Sequence, residues 1–240
     1  MSRSSVLLEV IATTVADARL AAQAGADRLE LVTAMGEGGL TPSVGLIEAV
    51  VNAVDIPVNV IVRPHGRSFV FDADDYAVML RDVRAVAAAG APGVVIGMLT
   101  PEGEIDREGL ARVADAADGL PITFHRAFDE ARDLRQALDV LLGFDAVKNV
   151  LTSGGKPSVL QAEETIRALV QQASGSHCTV LAGAGLTVDA VAGFVQATRV
   201  TAVHFGSGVR VGGNGLAPVD SQKVARVRAL LDAAWHPLEA

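Results

Sequence analysis

The strongest constraint on this chain is a repeated alternation. Short, β-branched apolar runs are followed eight times by longer Ala/Leu-rich amphipathic segments. The strand-type runs cover 7–12, 28–33, 58–64, 94–99, the stretch from 122, then 146–152, 179–184 and 202–206. The helix-type segments cover 14–24, 42–54, 73–89, 106–117, 134–142, 158–173, 188–196 and 220–234. Gly25 and Gly90 follow two of them, where a left-handed residue ends a helix most easily, and Asp106 is a natural N-cap. Strands alternating with helices imply a parallel sheet with right-handed crossovers. Eight units, with no Pro/Gly/Ser-rich linker between them, predict one α/β domain over residues 1–240, a (β/α)8 TIM barrel. The competing doubly wound open sheet would carry a Gly-rich turn after the first strand, and Ala12-Thr-Thr-Val15 has no glycine.

Composition narrows the function classes. With 240 residues, half of them hydrophobic, the chain can bury one large core. A net charge of −8 without any basic cluster argues against nucleic-acid partners, since phosphate binding needs Lys and Arg. No uncharged apolar run reaches the roughly 20 residues of a membrane span. Met1-Ser-Arg-Ser-Ser5 has no signal-peptide character, so a cytoplasmic protein is expected. Cys178 is the only cysteine, which rules out an internal disulfide and a multi-thiolate metal cluster within one chain.

Strand side chains alternate between faces, and in a barrel the outer face lies under helices. If the uniformly apolar set faces out, then Glu9, Glu30, Asn59, Arg63, His65, Thr123, His125 and His204 point to the lumen or its rim. Buried charges must be paired, and two glutamates against an arginine and several imidazoles balance. A polar plug with no other role is the plain alternative. Arg126 has the wrong parity for the lumen, so it sits at a turn or beyond a bulge, and the sixth strand leaves Lys148 and Asn149 undecided. In an enzyme reading His125 is the general acid or base, tuned by Glu9 or Glu30. Arg63 and Arg126 then meet an anion, and Asp129 orients a partner.

Glycine-rich loops follow the last strands: Ser153 and Gly154 after the sixth, Gly183 and Gly185 after the seventh, Gly206, Ser207 and Gly208 after the eighth. In such barrels these loops are the usual phosphate cradle, although glycines also serve simply to make tight turns. His65, His125 and His204 with a glutamate are candidate metal ligands, without His-x-His or His-x-x-x-His spacing to support them. The expected partner is a small polar or anionic molecule, with no organic cofactor. The reaction could be an isomerisation, an elimination or a hydrolysis. Phe69 to Phe71 is a candidate oligomer contact.

Several motifs, taken in order, resemble the copper homeostasis protein CutC family. They are Gly25-Ala-Asp-Arg-Leu-Glu-Leu31, Glu37-Gly-Gly-Leu-Thr-Pro-Ser43, Thr123-Phe-His-Arg-Ala-Phe-Asp129, Val150-Leu-Thr-Ser-Gly154 and Ala182-Gly-Ala-Gly185. The resemblance implies a cytoplasmic (β/α)8 barrel that forms a homo-oligomer, a dimer or tetramer, with copper as the ligand its label names and no agreed catalytic activity. Related members carry cysteines at the ends of the first two strands. The matching positions here are Ile11 or Ala12 and Val32, none of which ligates a metal.

Overall fold

The structure is a computed structural model that describes residues 6–234. Met1–Ser5, on which the expectation of no signal segment rests, lie outside those residues, as does His236. Eight parallel strands close into a barrel, β1 (Leu7–Ala12), β2 (Arg28–Leu31), β3 (Val58–Ile61), β4 (Gly93–Ile96), β5 (Ile122–Phe124), β6 (Val147–Thr152), β7 (Thr179–Ala182) and β8 (Ala202–Phe205). The helices α1 (Val15–Gln23), α2 (Val44–Val51), α3 (Ala73–Ala88), α4 (Arg107–Ala117), α5 (Leu134–Leu142), α6 (Glu163–Ala173), α7 (Val191–Thr198) and α8 (Ser221–Ala234) alternate with them. This is the (β/α)8 barrel that the alternation predicts.

Local chemistry sets the helix starts. Thr14, Ser43, Asp106 and Asp133 each accept a backbone N–H of the first turn, and Asp72 does so in a reciprocal capping box with Asp75. Gly25 and Gly90 take left-handed conformations just beyond α1 and α3. Strands β2, β3, β4 and β7 end two or three residues earlier than expected, and two further segments differ. The helix expected over 158–173 is broken at Ala162 into a 3-10 turn and α6. The fifth strand is only three residues long, because the chain coils into a 3-10 turn over Arg126–Glu130 directly after His125.

The main core lies between strands and helices, where Leu8, Val10, Leu29, Val60, Phe124 and Phe205 are all buried. The lumen holds two smaller apolar clusters. Ile11, Val32, Ile61 and Val95 line one side, and Leu151, Leu181 and Ala202 another. The polar lumen set sits between them. The register makes Glu9 a direct neighbour of both Arg28 on β2 and His204 on β8, so closing the barrel itself assembles a charged cluster. A register shift between Ile122 and Thr123 pairs Thr123 with Asn149. That irregularity settles β6: Asn149 is buried and Lys148 is exposed.

Candidate functional site

A cavity of about 540 Å³ opens at the C-terminal end of the barrel, the end where this fold places its sites. Glu30, Arg63, His125, Arg126, Asp129 and His204 all line it. Its remaining wall includes Ile11, Val32, Ile61 and Met35 on one side and Gly185, Gly206, Ser207 and Gly208 on the other. The cavity is therefore half apolar and half polar.

At its floor is a buried four-residue network. Arg28 Nε donates to Glu9 Oε2 at 2.5 Å, and His204 Nδ1 lies 2.8 Å from Glu9 Oε1. On its other side, His204 Nε2 is 3.5 Å from Glu30 Oε2. Burial opposes the charge on Glu9, but Arg28 and His204 outweigh it and hold the carboxyl below its usual range. His204 is likewise disfavoured as a cation by burial, yet Glu9 and Glu30 raise its pKa. For Glu30 burial wins, helped by the like charge of Glu9, and its pKa rises to about 7. The result is a Glu9 whose charge is favoured by Arg28 and His204 on either side, and a Glu30 that gains or loses a proton near neutrality.

His125 stands apart from this network. Its Nδ1 accepts the Ala127 N–H at 3.1 Å, which puts the ring hydrogen on Nε2. Nε2 is buried without a protein partner and belongs to a ring that lines the cavity. Burial, then the charges of Arg63 and Arg126, push the His125 pKa down to about 3. At neutral pH this is an uncharged imidazole offering one N–H. It is a hydrogen-bond donor there.

The ring is seated by residues that strand parity does not single out. Phe69 packs against it at 5.1 Å between centroids and also lies under the Arg63 guanidinium at 4.5 Å. Phe71 packs on His65 and Tyr76. Gly97, just past β4, gives the imidazole its floor. A Cβ there would overlap the His125 ring and come within 2.8 Å of Ala127 Cβ. Its φ needs no glycine, so close approach is the reason for it. Gly97→Ala is expected to displace His125 and to cost about 1–3 kcal/mol, read as a urea midpoint shift together with altered His125 ring signals.

Arg63 and Asp129 each organise a loop. Arg63 Nη1 donates to the carbonyls of Glu37, Gly38 and Gly39 at 3.3–3.4 Å. Asp129 accepts from Thr152 Oγ1, Ser153 N and Gly155 N, and from Arg126 Nε at 2.8 Å. Arg126 thus sits on the turn after β5, half-exposed at the rim, which resolves its parity.

Not every expected residue reaches the cavity. His65 pairs with Asp75 at 3.1 Å and stacks on Phe71. It lies away from His204, so the three histidines do not form one metal site. Ser153 is fully buried, with its hydroxyl donating to Lys156 O, and a Cβ on Gly154 would strike Ala162. Both belong to the packing of the β6 loop rather than to an anion cradle. Gly183 lies behind the wall, where its missing Cβ makes room for Leu151 and His204. Arg28 joins the buried network although the apolar-face argument does not name it; its parity with Glu30 is the signal that could have.

The CutC family model matches residues 6–209, which include every strand and the whole cavity lining. The chain belongs to the CutC family. A CutC family protein of Klebsiella pneumoniae is 42% identical over 202 residues, 84% of this chain and 80% of the relative. One of Caulobacter vibrioides is 42% identical over 206 residues, 85% and 82%. A solved CutC structure from Streptococcus agalactiae, described as a copper homeostasis protein, superposes with a TM-score of 0.78 at 28% identity. It covers 83% of this chain and 97% of that one. Any chemistry at the mouth is therefore that of a CutC protein.

The copper in the family's label can be tested against the donors present. Cu(I) selects thiolates and thioethers. Cys178 lies just before β7, at the opposite end of the barrel, and burial pushes its thiol up to about 11. Among the described residues one group of potential ligands converges, Glu9, Glu30 and His204. It offers oxygen and nitrogen only, and both Glu9 oxygens already face Arg28 and His204. The positions of the expected strand-end cysteines hold Ile11 or Ala12 and Val32, all apolar and buried. Met35 is the one thioether in the cavity lining and no thiolate joins it, so the residues present do not make a Cu(I) site.

Proposed function

We propose that this CutC-family barrel binds a small, polar, anionic molecule in its C-terminal mouth. One observation carries the reading: a buried His125 Nε2–H without a partner, in the wall of a cavity rimmed by Arg63 and Arg126. A buried donor left unpaired costs about 1–3 kcal/mol, which a bound acceptor offsets. The two arginines favour an acceptor that carries negative charge. Gly185, Gly206, Ser207 and Gly208 supply backbone next to the same space, a suitable seat for a phosphate or carboxylate. In this reading Asp129, Glu9 and the Gly183 turn act by holding these groups in place.

Calorimetric titration of a panel of phosphorylated and carboxylated metabolites tests the proposal. Binding that falls at least about tenfold in Arg126→Gln and in His125→Ala supports it. A ligand bound equally well by both variants overturns the site. Anaerobic Cu(I) titration against a chelator is expected to show no competition beyond that of surface histidines. The family's cytoplasmic residence and homo-oligomeric assembly complete the proposal, and light scattering after size exclusion reads the assembly directly.

A further inference from the structure

His125 and Glu30 border one cavity, and their chemistry is complementary. His125 offers a neutral N–H from a ring held by Ala127, Phe69 and Gly97. Glu30 is buried, lines the same cavity, and pairs with His204 at 3.5 Å. That separation leaves the carboxyl free to meet a ligand. The apolar wall of Ile11, Val32 and Ile61 flanks it, a setting that excludes water and strengthens a carboxylate as a base.

We propose that the mouth carries out proton transfer at a carbon next to a carbonyl, with Glu30 as the base and the His125 Nε2–H as the donor that holds the carbonyl oxygen. The proposal rests on the anionic-ligand reading above. Its substrate class is a small carbonyl compound carrying a phosphate or carboxylate, with that group toward Arg126 and the glycine loops. In the forward step the α C–H bond breaks and its proton passes to the Glu30 carboxylate. The electron pair moves into the carbon–carbon bond, and the resulting enolate oxygen accepts from His125. Return of the proton to the same carbon gives exchange; delivery to the neighbouring carbon, with the hydroxyl proton of the first carbon passing to the enolate oxygen, gives isomerisation. Either return regenerates the carboxylate, and no oxidant or second reactant is consumed.

The charge states agree with these roles. Glu30 near 7 is a base of useful strength at neutral pH, and His125 near 3 stays neutral, so it donates without first having to lose a proton. His204, held between Glu9 and Glu30, is a positioning residue that keeps Glu30 partly ionised. Protonation of Glu30 removes the base, so exchange is expected to rise with pH through about 7.

Dihydroxyacetone phosphate and 3-hydroxypyruvate are suitable probes, since each joins a carbonyl, α C–H bonds and an anionic group. Proton NMR in D2O follows the loss of their α C–H signals, and thermal shift follows binding. The expected result is exchange by the wild-type protein, reduced about 100-fold in Glu30→Gln and in His125→Ala. Glu30→Gln should still bind the probe. The Glu30→Gln protein, purified identically, also controls for host enzymes. A probe that stabilises the protein in an Arg126-dependent manner, yet exchanges no faster than with Glu30→Gln, overturns proton transfer and leaves the ligand site standing. Failure of both probes to stabilise the protein overturns this substrate class. Failure of the wider panel as well overturns the ligand reading itself.

Discussion

Replacing Asp129 by alanine is expected to lower folding stability by about 3 kcal/mol and to loosen one side of the cavity. The carboxylate is nearly buried and is the common acceptor for Thr152 Oγ1, Ser153 N and Gly155 N. Truncation leaves these donors without an acceptor, and each orphaned buried donor costs more than a hydrogen bond contributes when made. It also frees the Arg126 guanidinium, which Asp129 holds at the rim. Asp129→Asn keeps the volume but presents N–H groups to donors, so it should fall between alanine and wild type. Urea unfolding of the three proteins checks the order. A loss under about 1 kcal/mol in Asp129→Ala would show that the β6 loop is not held in this way.

Glu9→Gln is expected to cost about as much, again near 3 kcal/mol, by a different cause. Glu9 is the anion on which Arg28 and His204 converge. An amide oxygen can serve one of them, and its NH2 then faces the other. Removing one member of a buried ion cluster leaves charge uncompensated, which is the costly case. Glu30 should respond in a defined direction. The Glu9 charge is among the causes that raise its pKa, so in Glu9→Gln the Glu30 pKa falls below about 7 and Glu30 becomes the carboxylate that His204 faces. Chemical unfolding at pH 7 measures the stability change, and carboxyl-carbon NMR measures the titration. An unchanged Glu30 would mean that the two glutamates do not sense one another.

Period-two patterning makes most of this site legible in the sequence. Glu9, Glu30, Asn59, Arg63, Thr123, His125 and His204 are all buried, as alternation against apolar outer faces requires. Parity ends where the strand ends, and that is where the expectations fail. His65 lies past β3, and a side chain beyond a strand follows its loop, here toward Asp75. Arg126 has no readable direction because the 3-10 turn after β5 depends on the His125 ring capping Ala127. Arg28 is within reach of the same patterning, since it shares the face of Glu30. Gly97 can be suspected only as a glycine at a strand end, because what it makes room for comes from a neighbouring strand.

The same limit applies to the role of His125. Sequence marks a histidine at the end of a barrel strand and suggests acid–base work. Its tautomer follows from one backbone N–H two residues on, and its low pKa from burial and from the charges of Arg63 and Arg126 in the closed barrel. Family membership does not decide the matter, because the copper in the family's label finds no fitting donors in this mouth.

Nitrogen-15 NMR of the imidazoles between pH 5 and 8 tests the central claim most directly. The sequence holds five histidines, so single replacements assign every ring. The His125 pKa is depressed from 6.5 to about 3, so the folded protein leaves the ring unprotonated where an unfolded chain would charge it. The predicted result is a His125 that stays a neutral Nε2–H tautomer over the whole range, beside a His204 that titrates above the ordinary histidine value. A His125 that titrates near 6.5, or that carries its proton on Nδ1, would contradict the account.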